Sequence, residues 1–138
     1  MNPTAPYGAA LLRIALAVVF LAHSAYLKLI VFSLPGTAGY FTSVGLPALL
    51  AYVVVAVEIA GGLALLGGIR VREWSLALAA VALGAAWVHR DFGWLFTNEG
   101  GGYEFPLFLA AAAIVQALLG PGALTLRGRA GTRQPAAT

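Results

Sequence analysis

Four long apolar stretches alternate with short connections that are polar or rich in glycine. The stretches cover about 8–32, 48–67, 74–88 and 104–119. The hydrocarbon core of a bilayer is about 30 Å thick, and about 20 residues of α-helix cross it at about 1.5 Å per residue. The pattern therefore predicts an all-α protein, a bundle of four transmembrane helices with up-down-up-down topology. We expect one membrane domain over 1–138.

The connections between the stretches carry residues that end helices. The segment SLPGTAGYFTSVGLP over 33–47 has Pro and Gly at several positions, so we expect a loop there, with Tyr40 and Phe41 at the membrane interface. The sequence after the fourth stretch, 123–138, is basic and then polar, and we expect it to fray.

The composition supports a membrane protein. The chain is 61% hydrophobic and only 9% charged, whereas a soluble domain has roughly 25% charged residues. So few charges cannot solvate a water-facing surface, and we expect a multi-pass protein of a cell membrane. The preference for Arg over Lys and the Ala-rich spans favour a bacterial inner membrane.

Several function classes are excluded or disfavoured by residue types. Because the chain has no Cys, thiol–disulfide chemistry, thiolate metal ligation and iron–sulfur clusters are excluded within it. No metal site is predicted. No patch combines basic and aromatic residues in the way that binds nucleic acid, so nucleic acid is not an expected partner.

The basic residues are distributed unevenly between the two ends of the predicted bundle. Cytoplasmic connections carry an excess of Lys and Arg, so the more basic end predicts the cytoplasmic side. Both termini lie at that end and are predicted to be cytoplasmic. The six basic residues of this end are Arg13, Arg70, Arg72, Arg127, Arg129 and Arg133, and the two of the other end are Lys28 and Arg90.

Ionisable residues inside the spans are the candidates for function. Such groups are expensive in hydrocarbon, so they face the bundle interior, a cavity or the interface. The first span carries Arg13, His23 and Lys28. The acidic side chains that could pair with them are Glu58 and Glu104. We expect Lys28 and Glu104 to form an ion pair at the outer end. Glu58 is expected to pair with Arg13 or His23, and Arg13 to reach the inner surface as an anchor.

Two interpretations of Glu58 and His23 stay open at this point. A His–Glu pair in a partly dry site can pass protons near neutral pH. Alternatively, Glu58 fastens two helices together, and His23 is a neutral imidazole bonded to a backbone carbonyl. His23 and His89 could also be considered as haem ligands, but their predicted depths differ by about 10 Å, which argues against haem.

The order of these residues resembles the DoxX family of small four-helix membrane proteins. The similar segments are short, but their order and spacing extend over about 10–125. They are RIALAVVFLAHSAYLK over 13–28, GLP over 45–47, VEIAGGLALLGG over 57–68, GYEFP over 102–106 and GPG over 120–122.

The resemblance implies a membrane subunit of a redox system, because relatives include quinone-linked thiosulfate oxidoreductase subunits and a methylamine-utilisation membrane protein. The chain would then bind a quinone or small substrate in a pocket within the bundle. His23 and Glu58 would manage protons as catalytic residues. The predicted pocket is completed by Lys28, Glu104, His89 and Arg13, with Lys28 and Glu104 at its entrance.

No cofactor is expected within the chain itself, apart from the quinone that the pocket would hold. The expected partners are the lipid bilayer, a redox protein that supplies electrons, and further copies of the chain in a homo-oligomer. The alternative hypothesis is a non-catalytic membrane anchor or assembly partner, in which the same charges only stabilise the bundle. Whether the chain is part of an enzyme depends on which hypothesis holds.

Overall fold

The computed structural model describes residues 2–126, and the regular structure in this part of the chain is helical. This confirms the predicted all-α class. The first helix, α1, covers Ala5–Leu21 and continues without a break as a π-helix over Ala22–Val31. It is followed by α2 over Leu34–Ser43, α3 over Ala48–Gly67, α4 over Val71–His89 with a 3₁₀ turn over Arg90–Phe92, and α5 over Glu104–Leu119.

Three of these helices are long and apolar enough to cross a membrane. They are the continuous helix Ala5–Val31, α3, and α4 with its 3₁₀ turn. The apolar helix α5 has 16 residues and is about 24 Å long, so it is shorter than a full crossing. A multi-pass membrane protein is thus confirmed, whereas four complete crossings and the cytoplasmic position of the termini stay predictions.

The helices pack as a closed ring around an apolar core. Helix α1 contacts α3 and α5, and α4 contacts the same two helices from the other side. The short helix α2 lies against α3 and the π-helix. The core contains Leu16, Phe20, Leu65 and Leu78, with small Ala residues between them. Large apolar side chains also cover the outside of the ring, as lipid contact requires.

The helix α2 corrects the prediction of a loop over 33–47. Its Pro and Gly residues mark the ends of a helix instead of excluding one. Pro35 lies in the first turn, where the missing N–H is no loss, and the hydroxyl of Ser33 accepts a hydrogen bond from Gly36 N at 3.2 Å. Beyond the last turn, Gly45 takes a φ of +81°, which lets the chain reverse.

The end of the bundle that carries Ala5 and the α3–α4 turn, which we call the inner end after the predicted orientation, differs from prediction in two ways; the opposite end is called the outer end. Helix α4 begins at Val71 instead of about residue 74, directly after a tight turn. The start of the predicted fraying tail is bound to the bundle, because Ala123 N donates to Pro6 O at 2.9 Å and Leu126 N donates to Gly67 O at 3.1 Å. Residues 127–138, with the rest of that predicted tail and its Arg127, Arg129 and Arg133, lie outside the described part of the chain.

Close contact between α1 and α3 depends on Gly62. A Cβ added to this glycine would lie 2.6 Å from Leu21 Cγ and 3.4 Å from Ala17 O. Gly84, on α4, is a useful contrast, because a Cβ there would meet no atom within 4 Å. The two positions therefore separate the effect of crowding from the effect of helix propensity.

We expect Gly62→Ala to destabilise the protein by about 1–3 kcal/mol, the usual cost of overpacking. Gly84→Ala should be neutral or slightly stabilising, because Ala favours helix over Gly. Thermal unfolding of both variants in the same detergent measures the difference. Equal stability of the two variants would contradict the close α1–α3 contact.

Candidate functional site

A buried ion pair joins the π-helix to the middle of α3. Lys28 Nζ lies 2.6 Å from Glu58 Oε2 and 2.8 Å from Glu58 Oε1. The side chain of Glu58 is only 5% exposed and that of Lys28 is 22% exposed. The predicted partners were therefore wrong, since Glu58 binds neither Arg13 nor His23, and Lys28 does not bind Glu104.

The π-helix explains why the partner of Lys28 was not predicted. A π-helix closes i→i+5 hydrogen bonds, as Phe32 N does with Leu27 O at 2.8 Å at the end of this segment. The angle between successive residues therefore differs from that of an α-helix beyond Leu21. A prediction that assumes α-helical geometry through Lys28 places its side chain in the wrong direction. Such segments are rare and occur frequently at functional sites.

His23 lies beside the ion pair and is held in place at one ring nitrogen. Its Nδ1 is 2.9 Å from Val19 O, so Nδ1 carries the proton that the carbonyl accepts. The ring stacks on Phe105 of α5, with centroids 5.8 Å apart and an interplanar angle of 27°. His23 is also close enough to Glu58 for an electrostatic interaction, although no hydrogen bond between them is found in residues 2–126.

The remaining nitrogen of this imidazole determines what it can do. With Nδ1 donating to the backbone, Nε2 of neutral His23 is an acceptor, and it becomes a donor when the ring is protonated. This backbone hydrogen bond is the contact that the structural interpretation of His23 predicts. The ring is also within electrostatic range of Glu58, so both interpretations of this residue stay open.

Glu104 has a different role from the one expected. It accepts a hydrogen bond from Phe96 N at 2.9 Å through Oε1, and its own N–H donates to Trp94 O at 3.1 Å. These contacts fold the connection between α4 and α5 onto the start of α5. Glu104 therefore stabilises this loop at the outer end instead of pairing with Lys28.

His89 contacts the same outer loop. Its Nδ1 is 2.8 Å from Ala85 O, and its ring makes an edge-to-face contact with Phe92 at a centroid distance of 5.9 Å. Gly101 lies beside the ring, because a Cβ there would be 3.6 Å from His89 Cδ2. In the described part of the chain, no hydrogen bond or ring contact connects His89 to the ion pair or to His23.

Arg13 is fully buried at the inner end, which corrects the expectation that it reaches the membrane surface. Its Nη2 donates to Ala123 O at 3.1 Å and to Leu124 O at 2.9 Å. The guanidinium group therefore contacts the segment after α5 and has no hydrogen bond to Lys28 or Glu58. Of the six predicted site residues, the structure brings together His23, Lys28 and Glu58.

Sequence reasoning missed the residues that support this cluster. Phe105 stacks on His23, and the hydroxyl of Thr37 donates to Lys28 O at 3.0 Å. Ser24 donates to Phe20 O at 2.8 Å where the α-helix becomes a π-helix. Phe105 lies in the GYEFP segment, whose similarity to the family could have pointed to it. Thr37 lies in the segment 33–47, which was predicted to be a loop.

The comparisons with known proteins identify the family of the chain. Residues 8–91 match the family model DoxX, a match that includes His23, Lys28 and Glu58. A curated protein of Bacillus subtilis (strain 168), named "Putative oxidoreductase CatD", is 32% identical over 127 residues, which cover 91% of this chain and 89% of that protein. No solved structure matches the chain. The chain belongs to the DoxX family, whose members are membrane proteins.

Proposed function

We propose that this chain is a membrane subunit of a redox system and that it binds a quinone or another small substrate within the helix bundle. The observation that carries the proposal is the buried Lys28–Glu58 pair with His23 beside it. Membership of the DoxX family and the similarity to a protein named as a putative oxidoreductase support the same class of function.

The charges of this cluster are suited to proton transfer. Reduction of a quinone by two electrons takes up two protons, one at each carbonyl oxygen. Imidazole and carboxyl groups are the usual general acids and bases, and His23 and Glu58 lie within electrostatic range of each other. We assign His23 and Glu58 to this role and Lys28 to orienting the carboxylate.

An aromatic side chain borders this cluster, which supports the proposal of a quinone as ligand. Phe105 already presents an aromatic face to His23, and binding sites for small molecules combine apolar walls with a few polar groups. Because the chain has no Cys, thiols cannot carry the electrons. The electrons would come from a partner protein, and with the termini in the cytoplasm of a bacterium the cluster would lie in the outer half of the inner membrane.

One observation favours a second function, that of a non-catalytic anchor or assembly partner. Lys28 and Glu58 neutralise each other at 2.6 Å, and His23 already bonds to Val19 O. Such contacts are sufficient to fasten the first helix to α3. The two hypotheses differ in whether a stable protein without the charges retains function.

We expect Glu58→Gln alone to destabilise the protein by about 3–5 kcal/mol, because it leaves the charge of Lys28 buried without a partner. The double variant Lys28→Met, Glu58→Gln removes both charges and should recover most of that loss. Thermal unfolding in detergent measures both effects. A single variant as stable as the wild type would contradict the buried ion pair.

The same double variant separates the two functions. If the cluster moves protons, the stable double variant loses quinone reduction in membranes that contain the partner protein. If the chain is an anchor, the double variant assembles with its partner and supports normal activity, which would overturn the proposed redox role of Glu58.

We expect His23→Ala to weaken quinone binding at least tenfold, since the variant lacks both Nε2 and the stacked ring. Titration of purified protein with decylubiquinone, followed by Trp fluorescence, gives the affinity. Tyr26→Ala is the matched control, because Tyr26 lies on the same π-helix and its side chain is 59% exposed. Equal affinities of the two variants, or no binding by the wild type, would contradict a quinone site at His23.

A further inference from the structure

A cleft opens at the inner end of the bundle, between the α3–α4 turn and the segment after α5. Its volume is about 280 Å³, and its lining includes Gly68, Arg70, Arg72, Glu73 and Thr125. None of these residues belongs to the cluster around Lys28 and Glu58, which lies toward the other end of the same helices. The cleft is therefore separate from the proposed redox site.

Positive charge predominates in the lining of the cleft. Arg70 Nε lies 3.4 Å from Glu73 Oε1, but both side chains are more than half exposed, so this pair contributes little and can open. Arg72 extends toward the end of α5, because a Cβ on Gly120 would be 3.6 Å from Arg72 Nε. No ion pair to Arg72 is found in residues 2–126.

A third guanidinium group lies directly behind the floor of the cleft. Arg13 is fully buried, and its Nε and Nη1 have no hydrogen-bond partner within the described residues. Its Nη1 is adjacent to Gly68, since a Cβ built on that glycine would overlap this atom and would lie 2.8 Å from Thr125 Cβ. Both Gly68 and Thr125 line the cleft, and no ion pair to Arg13 is found in residues 2–126, so its charge acts on the cleft through little intervening protein.

The first turn of α4 adds backbone donors to the same place. Helix α4 has 19 residues and begins at Val71, and its first three residues line the cleft. The first N–H groups of an α-helix have no partner within the helix, and the helix dipole favours negative charge near them. Together with Arg70 and Arg72 in the lining and the charge of Arg13 behind Gly68, this geometry favours a phosphate group.

Exposed apolar side chains flank the lining residues of the cleft along the chain, and we call them its apolar rim. Ile69, Leu124 and Leu126 are 40%, 71% and 67% exposed. Ile69 and Leu126 are close neighbours, because a Cβ on Gly67 would lie 3.2 Å from Ile69 Cδ1 and 3.1 Å from Leu126 Cδ1. Acyl chains would cover these side chains while a headgroup occupied the cleft.

We propose that this cleft binds the phosphate of an anionic membrane lipid of the phosphatidylglycerol or cardiolipin type. Basic pockets at one end of transmembrane helices bind such headgroups. A soluble phosphate offers the same charge and acceptor oxygens, but it would leave the apolar rim uncovered. Such a site would hold this end of the bundle in a leaflet that contains anionic lipids, and it does not depend on the proposed redox function.

The test is a lipid titration of the wild-type protein in dodecyl maltoside, followed by the rise in its thermal unfolding temperature. Cardiolipin should raise this temperature and phosphatidylcholine should not, because ligands that bind only the folded state stabilise it. The effect of cardiolipin should fall when salt is raised to about 0.5 M, because salt screens the exposed charges. Equal effects of the two lipids, or no salt dependence, would overturn the proposal.

The double variant Arg70→Gln, Arg72→Gln should bind cardiolipin at least tenfold more weakly. Both side chains are exposed, so without lipid the variant should unfold within about 3 °C of the wild type. Arg90→Gln is the matched control, since Arg90 is also exposed but stacks on Trp87 at 4.2 Å at the other end of α4. An equal loss in this control, or stabilisation by inorganic phosphate as strong as that by cardiolipin, would overturn the lipid site.

Discussion

The ion pair between Lys28 and Glu58 fixes how the first helix meets α3. Neither charge is stable alone in hydrocarbon, so the two side chains must meet wherever the backbone allows. The backbone meets this requirement with a π-helical segment over Ala22–Val31. Thr37 then binds Lys28 O and holds α2 against the same segment. One electrostatic requirement therefore determines the shape of the outer half of the bundle.

The two cations of the first helix are accommodated by different chemistry. Lys28 is paired with the carboxylate of Glu58, so its neighbourhood carries little net charge. Arg13 is held by two backbone carbonyls, which accept its hydrogen bonds without cancelling its charge. The inner end of the bundle therefore keeps a positive field inside the protein, and the exposed arginines of the α3–α4 turn reinforce it.

The apolar stretches were sufficient to predict most of the fold. Helices α3 and α5 begin and end where the pattern placed them, because Gly68 and Gly120 end them as expected. The helix α2 could not be predicted from its composition, since its cap depends on one contact of Ser33.

The partner of Lys28 could not be predicted either, because hydrophobic periodicity does not distinguish an α-helix from a π-helix. His23 and Glu58 could be proposed from the sequence because ionisable residues in a span are rare, but the loop contacts of Glu104 and His89 depend on tertiary structure.

The contacts of Arg13 have a consequence for the order in which the protein is made. Its two acceptors are 110 and 111 residues later in the chain, whereas the partner of Lys28 is only 30 residues later. During synthesis, Lys28 can therefore be neutralised as soon as α3 enters the membrane. The acceptors of Arg13 are made only after α5, when Ala123 and Leu124 have been added to the chain. The contacts of α1 are thus completed only after α5 has been made, and until then the nascent protein carries Arg13 without its two acceptors.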